Sequence, residues 1–186
     1  MDPLLIDIPT KIDTKRLYLR IPMAGDGELV NAAIRASINE FKLWLPFAQS
    51  VPEITETEIN LRRAHNQFLN RESFRFLIFS KETDMFIGTC SLQSIDWDIP
   101  KFEIGYWIDI RFSGKGYMTE AIQRLTNFAI HELNGRRIEI RCESSNTKSR
   151  TIPEKLGFEL EGILRNEDFS ADGKKLTDTC IYAKIN

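Results

Sequence analysis

The sequence predicts a single mixed α/β domain over residues 1–186. Three observations carry that prediction. Short runs of β-branched and aromatic residues alternate with longer stretches whose apolar residues recur at helical spacing. Their order is strand, helices, three strands, helix, strand, helix, two strands, which is not a uniform βαβ succession. The length suits one substantial core and is too short for two ordinary domains and a linker.

The first strand is predicted over residues 15–23, where Leu17, Leu19 and Ile21 alternate with Tyr18, Arg20 and Pro22. From Asp26 the period lengthens through Leu29, Ala33, Ile34 and Ile38 to the apolar LWLPF of residues 43–47, and Pro46 ends that helix. Thr55 and Glu58 form a T-x-x-E pattern ahead of a helix with Leu61, Ala64 and Phe68 on one face. FRFLIFS and MFIGTCSLQSIDW read as a hairpin across KETD, and KFEIGYWIDI is a further strand ending at Ile110. A helix with Met118, Ile122, Leu125, Ala129 and Leu133 on one stripe runs to Asn134-Gly135. RRIEIRCES is the next strand, NTKSRTIPEKLG a short helix closed by Gly157, and the last two strands join across SADGK.

Composition narrows the function. The 25 basic and 27 acidic residues leave a net charge of −2, so no surplus of Lys and Arg marks a nucleic-acid binder. Cys90, Cys142 and Cys180 are odd in number, far apart and inside apolar segments, which predicts reduced thiols and a cytoplasmic setting. The N-terminal residues include Asp2 and Asp7 and no long apolar run, so neither a signal peptide nor a membrane span is expected. His65 and His131 lack a second ligand at metal spacing, so no metal site is expected.

The most informative stretch is RFSGKGYMTEA, residues 111–121. Strand, glycine loop and helix together bind anions, because the first amides of a helix are unpaired and its dipole is positive there. A Walker loop needs Ser or Thr after Gly-Lys, where this chain has Gly116; a dinucleotide loop needs a third small residue where it has Thr119. A plain tight turn remains the simpler reading of the glycines alone. Arg111 stands three residues before Gly114, giving R-x-x-G-x-G, and Asn146 to Ser149 form an N-x-x-S turn after the next strand.

These residues resemble the R/Q-x-x-G-x-G/A motif of the GNAT superfamily of acyl-CoA N-acyltransferases. NTKSRTIPEKLGFELEG, WLPF and EIGYWID resemble its ribosomal-protein N-terminal acetyltransferase branch. The resemblance implies a mostly antiparallel seven-stranded sheet with a parallel, splayed central pair and about four helices. It implies acetyl-CoA as co-substrate, with the diphosphate on the amides of Phe112, Ser113, Gly114, Lys115 and Gly116 and on the first helical turn from Tyr117. The pantetheine arm would pair with the backbone of Ile108 and Ile110 and with Asn146. Arg111 and Lys115 would add charge there or remain solvated.

Many relatives carry a tyrosine acid where this chain has Pro153; the branch resembled places a serine at Ser149, which serves as thiol-side donor or as helix N-cap. Glu103 and Asp168 are the candidate bases, each with a bland alternative as a surface or strand ion-pair residue. An α-amine acceptor needs only about 1 kcal/mol to deprotonate at pH 7, against about 4.6 kcal/mol for a lysine-like amine. That suits an α-amine, in agreement with the branch resembled, whose acceptors are protein N-termini; other relatives in the superfamily acetylate polyamines, antibiotics and amino acids. Residues 43–47 and the two N-terminal helices form the acceptor wall, unless Trp44 and Phe47 merely cap the core. The analogy also implies a homodimer, and the rival class is a CoA-binding sensor without catalysis.

Overall fold

The computed structural model describes residues 2–186, so that Met1 lies outside the described residues. Its elements are β1 (Lys11–Asp13), β2 (Leu17–Arg20), α1 (Gly27–Trp44), α2 (Ile54–Leu69), β3 (Phe74–Ser80), β4 (Phe86–Asp96), β5 (Lys101–Ile108), α3 (Tyr117–His131), β6 (Arg137–Glu143), α4 (Thr147–Lys155), β7 (Glu159–Phe169) and β8 (Leu176–Ile185). Eight strands form one sheet in the order β1-β2-β3-β4-β5-β6-β8-β7. The strand beyond the expected seven is β1, three residues held as a hairpin on β2. Every pairing is antiparallel except β5 with β6.

The alternation in each strand divides the core between two faces. Phe74, Phe76 and Ile78 of β3 join Ile122, Leu125 and Phe128 of α3 in the larger cluster. Leu77 and Phe79 turn the other way, against Val30, Ile34 and Phe41 of α1 and Leu61 of α2. The predicted stripe is buried throughout, from Met118 on α3 to Leu133, which lies just past the end of that helix at His131.

Two boundaries differ from expectation. The capping box of α2 is formed by Glu53 and Glu56; Glu58 instead accepts from the amides of Gly25 and Gly27, at the start of α1. There it neutralises a helix N-terminus other than its own. β5 ends at Ile108 and the chain turns through a short 3-10 segment at Ile110–Phe112, capped by the Asp109 carboxylate. Asp109 is fully buried and paired with Arg111, which fixes the exit from the strand.

Candidate active site

β5 and β6 are in register only at Lys101, Phe102 and Glu103, opposite Arg137, Ile138 and Glu139. Beyond that point β5 continues to Ile108 beside β4, while β6 continues to Glu143 beside β8. The parallel pair therefore opens, and its inner edges lose their partners. Backbone groups alternate edges along a strand. The Asp109 amide donates to the Ile87 carbonyl at 2.8 Å, on the β4 side, so Tyr106 and Ile108 turn their amides and carbonyls toward the opening.

Ile110 does not extend this open edge. Its amide donates to Ser37 Oγ at 2.9 Å, and its carbonyl accepts from Ser113. The expectation that an extended arm pairs with Ile110 is corrected accordingly; its side chain still lines the cavity.

The glycine loop follows. Gly114 and Gly116 have φ of +76° and +75°, and Gly116 precedes the first turn of α3 in the left-handed region. The Phe112 and Ser113 amides are already used by the carbonyls of Asp109 and Ile110. The amides of residues 114–119 have no acceptor among the described residues, while Glu120 begins the helical ladder onto Gly116. The anion cradle thus runs from Gly114 into α3, two residues later than expected. A Cβ at Gly114 would meet nothing within 4 Å, so the space above the loop is open. Arg16 braces it, donating to the Lys115 carbonyl at 3.0 Å and lying 4.5 Å from the Tyr117 ring centroid.

A cavity of about 420 Å³ connects loop and opening. It brings together Ile108, Ile110, Ser113, Gly114, Gly116, Tyr117, Asn146 and Ser149. Arg111, Phe112 and Lys115 stand outside its lining. A second cavity, also about 420 Å³, lies on the α1–α2 face and includes Leu45, Phe47, Gln93 and Gly105 in its wall. The two share Leu45, Tyr106 and Trp107. Trp44 lines the first and Phe47, half exposed, the second, so neither simply caps the core.

Asn146, not Ser149, caps α4: its Oδ1 accepts from the Ser149 amide at 3.1 Å. The Ser149 hydroxyl is left to donate to the Tyr106 phenol oxygen at 3.2 Å, and Tyr106 donates to the Ser149 carbonyl at 2.8 Å. Burial above all raises Tyr106 beyond the usual tyrosine range, so it remains a neutral phenol. Cys142 stands nearby on β6; burial above all pushes the thiol up to about 11, which keeps it protonated and unreactive at neutral pH. Tyr106 had no signal beyond being an aromatic alcohol two residues before Ile108.

The two candidate bases are separated. Glu103 accepts from Gln93 Nε2 at 3.1 Å and Ser94 Oγ at 3.2 Å, behind the Gln93 wall of the second cavity. Asp168 is exposed on the edge strand β7, accepts from the Phe169 amide, and lines neither cavity. Among the described residues there is no His, Cys, Asp or Glu cluster able to hold a metal. No helix among them is long and apolar enough to cross a membrane.

Comparison with known proteins agrees with this geometry. Residues 16–159 match the acetyltransferase (GNAT) domain. The chain is 35% identical over 148 residues to an uncharacterized N-acetyltransferase, p20, of Bacillus licheniformis, covering 73% of this chain and 82% of that protein. It is 29% identical over 146 residues to the ribosomal-protein-serine acetyltransferase of Escherichia coli, covering 77% and 80%. Among solved structures, the microcin C7 self-immunity acetyltransferase MccE in complex with acetyl-CoA and AMP superposes with a TM-score of 0.88 at 25% identity, covering 96% and 98%. The RimL ribosomal alpha-N-protein acetyltransferase in complex with coenzyme A shares the fold, with a TM-score of 0.85 at 23% identity over 96% and 97%.

Proposed function

The chain belongs to the GNAT acetyltransferase family, and from that premise we propose that it acetylates a protein N-terminal α-amine with acetyl-CoA, as on a ribosomal protein. The observation that carries this reading is the seam. Two cavities, one reaching the glycine loop and α4 and the other lying between α1, α2 and the sheet, meet at Leu45, Tyr106 and Trp107, where β5 has lost its neighbour. A thioester carrier enters from one side and an amine from the other.

The residues fit that carrier. The free amides of residues 114–119 and the dipole of α3 receive a diphosphate. The outward amides and carbonyls of Tyr106 and Ile108 pair with an amide-bearing arm as an added strand would, and orient the thioester carbonyl. Side-chain anchors are few at this point, so backbone does the binding.

Acetyl transfer forms a C–N bond and breaks a C–S bond. It needs a deprotonated amine, a polarised carbonyl and a stabilised thiolate. Ser149 turns its hydroxyl from Tyr106 toward the departing sulfur, and Tyr106, held as a neutral phenol, then donates to Ser149 or to the sulfur directly. This pair fills the role left open by Pro153 and argues against a non-catalytic sensor. Glu103, on the acceptor side of β5, takes the amine proton in preference to Asp168. An α-amine helps, because it needs only about 1 kcal/mol to deprotonate at pH 7.

The name of the Escherichia coli relative supports a ribosomal acceptor; the solved AMP complex of MccE favours, as a second reading, a small-molecule amine. The test is release of free CoA from acetyl-CoA with a panel of N-terminal peptides, polyamines and aminoglycosides. Turnover of peptides over the others is the expected result. Absence of turnover across the panel, with acetyl-CoA still bound, overturns it.

A further inference from the structure

Arg75 of β3 lies in the wall of the second cavity, on the α1–α2 face of the sheet. It is opposite Ser91 on β4, and Ser91 is opposite Gly105 on β5, next to Tyr106 at the seam. Arg75 is the one basic residue lining this cavity among the described residues. Its neighbours leave it short of partners. Nη1 donates to Asn60 Oδ1 at 2.5 Å, but no ion pair reaches it among the described residues. A guanidinium has five donors, and those of Arg75 that lack a partner are not buried.

The carboxylates of the same wall are committed elsewhere. Glu56, in the wall, accepts from the Glu53 amide at 2.9 Å, and Glu103, behind Gln93, accepts from Gln93 and Ser94. The contrast with other arginines is informative: Arg20, Arg111 and Arg137 are raised above the usual range, each chiefly by the hydrogen bonds it donates to a carboxylate, whereas burial alone lowers Arg75. A half-buried cation without an anion is held at some cost. That cost is recovered when a ligand supplies the charge.

We propose that the acceptor carries a carboxylate or phosphate close to its reacting amine, and that Arg75 receives this anion in the second cavity. The proposal rests on the reading of that cavity as the acceptor site. Two strand spacings of about 4.8 Å separate β3 from β5, roughly 10 Å in all. An extended peptide advances about 3.3–3.6 Å per residue. That span is about three residue steps, and the reach of the arginine and of the acidic side chain toward each other shortens it, so the anion belongs on the second or third residue of an N-terminal peptide, and not on the sixth.

The experiment measures kcat/KM with acetyl-CoA for six-residue peptide amides beginning with Ser. Asp is placed at position two, three or six against Asn at the same place, and phosphoserine against Ser. The wild type is expected to prefer the anionic member by about 10- to 100-fold at positions two and three, the span of a charge-assisted bidentate contact. No preference at position six is expected. Arg75→Gln, checked for folding by thermal melting and acetyl-CoA affinity, should lose that preference, and Arg75→Glu should reverse it toward Lys-bearing peptides. Comparison of Asp with phosphoserine separates a carboxylate from a phosphate. Equal rates for Asp and Asn peptides in the wild type overturn the proposal without any variant and leave the transferase reading standing, as does an undiminished preference in Arg75→Gln. No turnover of any peptide overturns both.

Discussion

The Ser149 hydroxyl donates to the Tyr106 phenol oxygen at 3.2 Å, and that phenol donates to the Ser149 carbonyl at 2.8 Å. The pair bridges α4 and the open edge of β5, where the two cavities meet. Since Asn146 caps the helix, Ser149 is free for chemistry. Ser149→Ala should lower kcat about 10²-fold while leaving acetyl-CoA affinity within about threefold, and Tyr106→Phe should lower kcat about 10-fold. The double variant should lose less than the product of the two, because they act as one unit. Steady-state kinetics and calorimetric binding check this; equal losses of kcat and affinity would make Ser149 structural.

Asn146→Ala should remove the α4 cap and destabilise the fold by about 1 kcal/mol. Thermal melting should fall by about 2–4 °C for a chain of this size.

Acetyl-CoA at about 100 times its Kd should stabilise the protein by about 2.7 kcal/mol. Gly114→Val should abolish that gain, because its side chain enters the open space over the free amides. The positive φ adds a strain of about 1–3 kcal/mol to the apo protein. Differential melting with and without acetyl-CoA separates the two effects, and an undiminished ligand-induced shift would move the diphosphate elsewhere.

Burial works to raise the Glu120 carboxyl, yet hydrogen bonds from Thr14 and from the Arg16 amide and side chain hold it below the usual range. A carboxyl depressed in the folded state stabilises above its unfolded pKa, near 4.3, and loses that contribution as pH falls through the folded value. Glu120→Gln should therefore have a lower urea midpoint than the wild type at pH 7. The difference should shrink below about pH 4; a difference constant down to pH 3 would contradict this linkage.

Glu103→Gln should lower kcat/KM about 10²-fold and change its pH profile, whereas Asp168→Asn, on the exposed edge strand, should leave both near wild type. The reverse outcome would move the base to β7.

The sequence by itself determined the element order, the glycine loop, the stripe on α3 and the resemblance that implied a splayed parallel pair. These are local properties: side-chain period, turn chemistry and a motif within one stretch of chain. Only the tertiary structure decided which polar groups are spoken for. The Ile110 amide is taken by Ser37, 73 residues away. Ser149 meets Tyr106 across 43 residues, and Arg75 is left without a carboxylate among the described residues. Hydrogen-bond satisfaction is settled by packing between distant segments, and no local pattern in the chain records which donor will be left over.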